Sequence, residues 1–304
     1  MDRYSCRHKQ AAKWCSGDHV CIATLFPGQE PLSKDPKADH VPPDGTSLSR
    51  REEKLILALR QRKNRKKEGL FLAEGVRLVE ELLLAKRPIR YAIASPELAR
   101  GERGGVLYQT LQKKCPTYLL PPRELGRLAA TVSPQGVLAV AETPRYDLEG
   151  IRIRQHATVL LLDGIQDPGN LGTMIRSADA FGADLAVVLP GSVDPWNPKT
   201  VRAAAGASVK LPVVEAQLPM VLDWLRRQLF VVYGTDAAGQ PVRRQDLAGR
   251  VAFVMGNEGA GLSPEARAAV DGVLAVPIRE GAESLNAAVA AGILLFMRFQ
   301  SGTA

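Results

Sequence analysis

Residues Val159–Phe181 read VLLLDGIQDPGNLGTMIRSADAF, and the reading of this stretch decides the fold. The apolar run Val159 to Leu162 stops abruptly at Asp163-Gly164, the form of a buried parallel strand that ends at the rim of an α/β sheet. Ligands of such sheets bind beyond that rim. Asp167, Pro168, Gly169 and Asn170 then form a turn cluster, and Leu171, Ile175, Ala178, Ala180 and Phe181 follow at helical spacing. Strand, turn and helix alone establish no more than a βα unit, and an arginine on such a helix commonly just holds its head in water. What lifts this stretch above that reading is density. Asp163, Asn170, Gly172 and Arg176 gather where close backbone approach and charge are both useful.

Outward from this unit, strand-like runs lie at Leu185–Leu189, Val209–Val214, Phe230–Tyr233 and Val251–Met255, with helical patterns at Pro198–Ala205 and Met220–Arg227. Alternation of this kind predicts an α/β fold, a mostly parallel sheet with helices on both faces, over residues 157–304. Towards the N-terminus, Ser49-Arg50-Arg51-Glu52 has the form of a capping box ahead of Leu55 and Leu59. The helix it opens carries Arg60, Arg62, Lys63, Arg65, Lys66 and Lys67 at its end. A strand within Gly69–Gly75 and a helix over Val76–Ala85 follow. Signals continue at Tyr91–Ala94, Val106–Lys113, Tyr118–Leu120, Glu124–Ala130 and Val137–Glu142. Residues 47–142 therefore read as a small α/β domain, and 143–156, interrupted by Pro144 and Gly150, as a linker. Residues 1–46 lack periodicity and read as a disordered extension.

A net charge of +8 over 304 residues favours a polyanionic partner. The basic run is either a solvated face or a set of phosphate contacts, and its excess over Glu52 and Glu53 favours the second. No apolar run is long enough to span a membrane. Four cysteines suit a reducing cytoplasm better than a disulfide scaffold. Cys6, His8, Cys15, His19 and Cys21 include no CxxC pair, so no metal site is expected. Gly256, Gly259 and Gly261 do not complete a dinucleotide fingerprint, because Pro264 stands where the third glycine is required.

Three segments together are recognisable. Asn170-Leu171-Gly172 with Arg176, then Val254 to Leu262 (VMGNEGAGL), then Val276-Pro277-Ile278 through Gly281-Ala282-Glu283-Ser284-Leu285-Asn286 resemble, in order, the three motifs of the SpoU/TrmH family of RNA ribose 2′-O-methyltransferases in the SPOUT superfamily. The basic helix followed by EGLFLAEGVRLVEELL resembles the substrate-binding domain of one branch, a fold shared with small RNA-binding ribosomal proteins. The resemblance implies a deep trefoil knot in the C-terminal domain and a homodimer paired through it. It also implies S-adenosyl-L-methionine held by backbone around Gly256, Val276, Ile278, Leu285 and Asn286. Asn170, Arg176, Glu258, Ser284 and Asn286 would line the reaction centre, with Arg60 to Lys67 meeting RNA. The substrate implied is large-subunit ribosomal RNA. The alternatives are transfer RNA or a catalytically inactive RNA-binding or ribosome assembly factor. Met297 stands where many relatives carry a glutamate.

The implied chemistry needs no metal, since a sulfonium methyl is already electrophilic and the protein has only to align a nucleophile with it. A guanidinium is too weak an acid to serve as a base, so Arg176 is expected to clamp the developing alkoxide rather than take its proton.

Overall fold

The structure, a computed structural model, describes residues 47–281 and 284–302. The expected extension over residues 1–46, with Cys6, His8, Cys15, His19 and Cys21, lies outside them, as do Ala282 and Glu283 of the third motif.

The first lobe opens with helix α1 (Arg50–Ala58), where Ser49 and Glu52 form the expected capping box. The basic run does not continue this helix. The chain breaks at Leu59–Gln61, and the run forms a second helix, α2 (Arg62–Glu68), closed by Gly69 in the left-handed conformation that glycine adopts without strain. Then come β1 (Leu70–Glu74), α3 (Val76–Leu84), β2 (Ile89–Ala94), α4 (Pro96–Arg100), α5 (Glu102–Gln112), β3 (Thr117–Leu119), α6 (Pro122–Leu128) and β4 (Val137–Glu142). They build a four-stranded mixed sheet in the order β1-β4-β2-β3. Residues 143–156 touch the second lobe at a few apolar positions and are otherwise mostly exposed. Leu148 is buried, and Tyr146, Ile151 and Ile153 lie against the core of the second lobe.

The second lobe contains β5 (Thr158–Leu162), α7 (Pro168–Ala180), β6 (Leu185–Val188), α8 (Pro198–Ala203), α9 (Ala207–Lys210), β7 (Val213–Glu215), α10 (Leu218–Arg227), β8 (Val231–Pro241), β9 (Val251–Met255), α11 (Pro264–Ala269), β10 (Gly272–Ala275) and α12 (Ala287–Gly302). Its six strands run β10-β8-β9-β5-β6-β7, and every pairing is parallel. The central strand β5 is buried on both faces, as its uninterrupted apolar run requires. Leu160 and Leu162 join Leu171, Met174 and Ile175 of α7 and Leu294 and Leu295 of α12, while Val159 and Leu161 join Val221 and Leu225 of α10. Helices therefore cover both sides.

Two local readings are corrected. Val209 to Val214 is not one strand, because Val209 sits in the short buried helix α9 and β7 begins only at Val213. Burial against the helical layer outweighs the strand preference of a valine there. The turn cluster at Asp167–Asn170 is already the first turn of α7: the Asp167 side chain accepts from the Asn170 amide, and Pro168 occupies the first helical position, where its missing N–H costs nothing.

The lobes share a core. Phe71 of β1 packs on Trp196 with ring centroids 4.9 Å apart, and both belong to the same buried cluster as α7 and α12. No helix among the described residues is long and apolar enough to cross a membrane.

Candidate active site at the rim of the parallel sheet

The strands β5 and β9 end side by side, with Leu162 opposite Met255, so the segments that follow them share one edge of the sheet. After β9 the chain folds back at once. Gly256 is buried, and a Cβ there would collide with the backbone of Gly261 and Leu262. Its freedom from a side chain is thus used to close the loop, which a short bridge between Asn257 and Gly261 completes. Asn257 organises that loop from within. Its Oδ1 accepts from the amides of Gly259 and Ala260 at 2.9 and 2.8 Å, and its Nδ2 donates to Gly164 O at 2.8 Å, tying the second motif to the end of β5. Buried Asp163 adds a second tie by accepting from the Ser263 amide at 2.9 Å. Asn257 was visible in the motif but carries a supporting role that no sequence spacing announced.

The loop delivers Glu258 to the start of α7. The Asn170 Nδ2 donates to Glu258 Oε1 at 3.0 Å, and the amides of Gln166 and Asp167 donate to the same carboxylate at 3.2 and 3.3 Å. From the third motif, Asn286 Nδ2 donates to Asn170 Oδ1 at 3.1 Å, while its own Oδ1 accepts from Ala288 and Val289 at the start of α12. The orientation of both amides is forced. A carboxylate can only accept, so Asn170 presents its NH₂ to Glu258 and its oxygen to Asn286, whose oxygen is left to cap the helix. Partial burial pushes the Glu258 carboxyl up, but the hydrogen bond from Asn170 and those from the backbone of Glu258, Gln166 and Asp167 outweigh it and hold the group below its ordinary range. One hydrogen-bonded chain joins all three motifs.

Arg176 and Ser284 stand apart from that chain. Arg176 is exposed on α7, about 9 Å along the axis from Asn170 at 1.5 Å per residue, and has no hydrogen-bond or ion-pair partner among the described residues. Ser284 is exposed and likewise unpartnered among them. Gly172 serves packing: a Cβ there would strike Thr200 and Ala203, so this glycine lets α7 and α8 cross closely.

The candidate cofactor residues gather at the same edge. Val276 and Ile278 follow β10, and Leu285 precedes α12, all in irregular backbone whose amides and carbonyls belong to no sheet or helix ladder. Ile278 and Leu285 are 37% and 38% exposed, apolar side chains left facing outward at a polar rim. Backbone groups outside any ladder beside exposed aliphatic chains can hydrogen-bond the polar edge of a ligand and cover its apolar parts. Among the described residues no group of His, Cys, Asp and Glu could hold a metal.

The basic run of the first lobe is corrected by its partners. Arg65 is buried and bound to Asp194 of the second lobe, so it is not available to RNA. Arg60 donates to the carbonyls of Arg127 and Ala129 at 2.9 and 2.8 Å, which holds α1 to α6. Arg62 and Lys66 share Glu215 at 2.6 and 3.2 Å yet stay about half exposed, and Lys63 and Lys67 are exposed. A charge run in sequence does not reveal which charges another lobe will consume.

The all-parallel sheet and the three joined motif loops make an α/β fold whose candidate site lies beyond the carboxyl ends of its strands. Residues 157–296 match the model of the SpoU rRNA Methylase family, and residues 52–139 match that of the MRM3-like substrate binding domain. The 23S rRNA (guanosine(2553)-2′-O)-methyltransferase RlmP of Bacillus subtilis is 37% identical over 78% of this chain and 92% of its own. The crystal structure of the SpoU methyltransferase AviRb from Streptomyces viridochromogenes in complex with AdoMet superposes with a TM-score of 0.77 at 30% identity, covering 84% of this chain and 99% of that one. The AdoMet-bound rRNA methyltransferase of Sinorhizobium meliloti gives 0.73 at 31% identity, over 84% and 96%. The chain belongs to the SpoU rRNA methylase family.

Proposed function

We propose that this protein transfers the methyl group of S-adenosyl-L-methionine to a ribose 2′-hydroxyl of ribosomal RNA. The observation that carries the reading is the hydrogen-bonded chain Asn286, Asn170, Glu258, which joins all three motifs at one rim, with Arg176 further along α7 and without a partner among the described residues. Relatives that cover almost their whole length with this chain act on 23S rRNA, which favours ribosomal over transfer RNA. A location with ribosomes in the cytoplasm belongs to the same proposal.

The cofactor, when bound, supplies an electrophilic methyl on sulfur. Backbone at Gly256, Val276, Ile278 and Leu285 would hold it, and the exposed side chains of Ile278 and Leu285 would offer it apolar contact. Asn170, itself held by Asn286, and the amides of Gln166 and Asp167 fix the position of Glu258 and favour its ionised form, so the rim stays hydrogen-bonded and preorganised. Arg176 stabilises charge developing on the ribose oxygen or a neighbouring phosphate. Ser284, two residues before Asn286, is assigned to the same reaction centre by its place in the third motif.

A homodimer fits this arrangement. Val289, Phe296 and Phe299 expose an apolar stripe along α12, and Phe181 beside them packs against both phenylalanines with tilted rings, centroids 5.6 and 6.2 Å apart. A second copy covering that stripe would approach α7, where Arg176 projects, and a knotted C-terminal segment is part of the same proposal. In the first lobe, Arg62, Lys63, Lys66 and Lys67 form the exposed basic face that meets RNA phosphates. Incubation of the purified protein with ribosomal RNA and S-adenosyl-L-methionine, followed by mapping of 2′-O-methyl groups, tests the reading. A new ribose methyl at a defined nucleotide is expected, and its absence with cofactor bound would overturn it.

A further inference from the structure

Asp194 takes no part in the chemistry above, yet it is buried and charged in the loop between β6 and α8. Its Oδ2 accepts from Arg65 Nε and Nη2 at 2.8 and 2.5 Å, and its Oδ1 accepts from the Trp196 amide at 2.9 Å. Arg65 gives its remaining nitrogen to the carbonyls of Leu59 and Arg60 at 2.7 and 2.8 Å. The guanidinium and carboxylate are thus nearly saturated across the boundary between the lobes.

A few residues earlier, the same loop grips the catalytic rim. Ser192 Oγ accepts from the Ile165 amide at 3.0 Å and donates to Leu162 O at 2.8 Å, the Val193 amide donates to Ile165 O at 2.8 Å, and Gln166 Nε2 donates to Gly191 O at 2.5 Å. Gln166 and its neighbour Asp167 are the residues whose amides hold Glu258. From the first lobe to the reaction centre the path therefore runs Arg65, Asp194, Ser192 with Gly191, Gln166 with Asp167, Glu258. Each step is a hydrogen bond or a few residues of one loop.

Docking alone does not call for this ion pair. Phe71 on Trp196 already buries apolar surface between the lobes, and a buried ion pair adds little net stability over apolar side chains of the same volume. What the planar guanidinium fork adds is a fixed orientation of the carboxylate, and with it of the loop that bears it.

We propose that Asp194 is a positioning residue: anchored by Arg65, it makes the loop a strut that sets the rim amides of Gln166 and Asp167, and through them Glu258. The kinetic consequence rests on the methyl-transfer reading, whereas the mechanical one does not.

The test uses the full-length protein with Asp194→Asn and Ser192→Ala, the second leaving the ion pair intact. Hydrogen exchange at the amides of Ile165 to Asp167 reads the strut, steady-state kinetics read its effect on catalysis, and calorimetry reads cofactor affinity. Both variants are expected to speed exchange at the rim and to lower kcat by up to about 10²-fold with RNA KM unchanged, because small misplacements of a reacting group carry such costs. Combined, they should lose less than the product of the single losses, since both cut the same path. A folded Asp194→Asn protein with wild-type rim exchange, or one in which KM for RNA rises at unchanged kcat, would reduce the pair to a lobe-docking contact and overturn the proposal. Should Asp194→Asn not fold, unchanged rim exchange in Ser192→Ala overturns it equally. A wild-type protein that binds cofactor but methylates no RNA sinks the methyl-transfer reading instead, while the exchange data still decide on the strut.

Discussion

Arg65 and Arg176 carry the same guanidinium in opposite circumstances. Arg65 is buried in the interface between the lobes with a carboxylate and two carbonyls around it, while Arg176 stands exposed on α7 with no partner among the described residues. By sequence alone Arg65 belonged to the RNA-contacting run and Arg176 to the reaction centre. The contrast shows that the availability of a charge is decided by what the fold has already given it to bind. A saturated arginine is architecture, and an unsatisfied one on a rim is free for a ligand.

The largest effect expected from this comparison is on stability. Arg65→Ala leaves Asp194 buried without its counter-charge and should cost about 3–5 kcal/mol in equilibrium unfolding. A loss near zero would mean that water or rearrangement satisfies Asp194 and that the contrast is overstated. Next, Arg176→Ala should leave the unfolding free energy within about 0.5 kcal/mol, as surface substitutions do. It should lower methyl transfer by about 10²- to 10³-fold while cofactor binding, read by calorimetry, is unchanged. Equal turnover by the variant would remove Arg176 from the mechanism.

Within α2 the comparison can be sharpened. Lys63→Glu with Lys67→Glu should weaken RNA binding and make its salt dependence shallower by about one unit of slope per lost phosphate contact, whereas Arg65→Gln should not alter that slope. Identical slopes for all three proteins would mark the whole helix as a solvated or structural face.

The smallest effect is that of pH. The folded-state pKa of Glu258 lies below its unfolded value, so its contribution is full above the unfolded pKa and is lost as pH falls through the depressed folded one. Because the rim is partly exposed, the loss is screened and local. Acid titration followed by NMR at the Gln166 and Asp167 amides should show them released below the ordinary glutamate range, and in Glu258→Gln that transition should vanish.

How much of this was legible in the chain depends on the range over which each feature is made. The β5 strand, the rim and the body of α7 were readable because an apolar run and a helical spacing lie within one short stretch, whereas Asp167, read as part of a turn, caps the helix. The capping box at Ser49 was readable for the same reason. The motif residues Asn170, Glu258 and Asn286 could be named by resemblance, and the structure brings those three together. Other features had no local signal. Arg65 and Asp194 are 129 positions apart, and nothing in RKNRKKE singles out the arginine that turns inward. The resemblance placed Gly256 in the backbone that holds the cofactor, but nothing in the chain announced that its missing Cβ makes room for the returning backbone of Gly261 and Leu262. The break at Leu59–Gln61 carries neither proline nor glycine, and there Arg65 donates to the carbonyls of Leu59 and Arg60. The carbonyls left free where α1 ends are taken by a side chain five and six residues on, which Asp194 in turn holds.

The packing of Phe71 on Trp196 within one continuous buried cluster limits how freely the two halves can be exchanged. A chimera that grafts a relative's RNA-binding lobe onto this catalytic lobe would present Trp196 and Asp194 to a surface not shaped for them, leaving an indole in water and a carboxylate without its cation. Retargeting such an enzyme by lobe exchange therefore means carrying the 189–197 loop along with the lobe. The unit of inheritance is the lobe together with the loop it rests on.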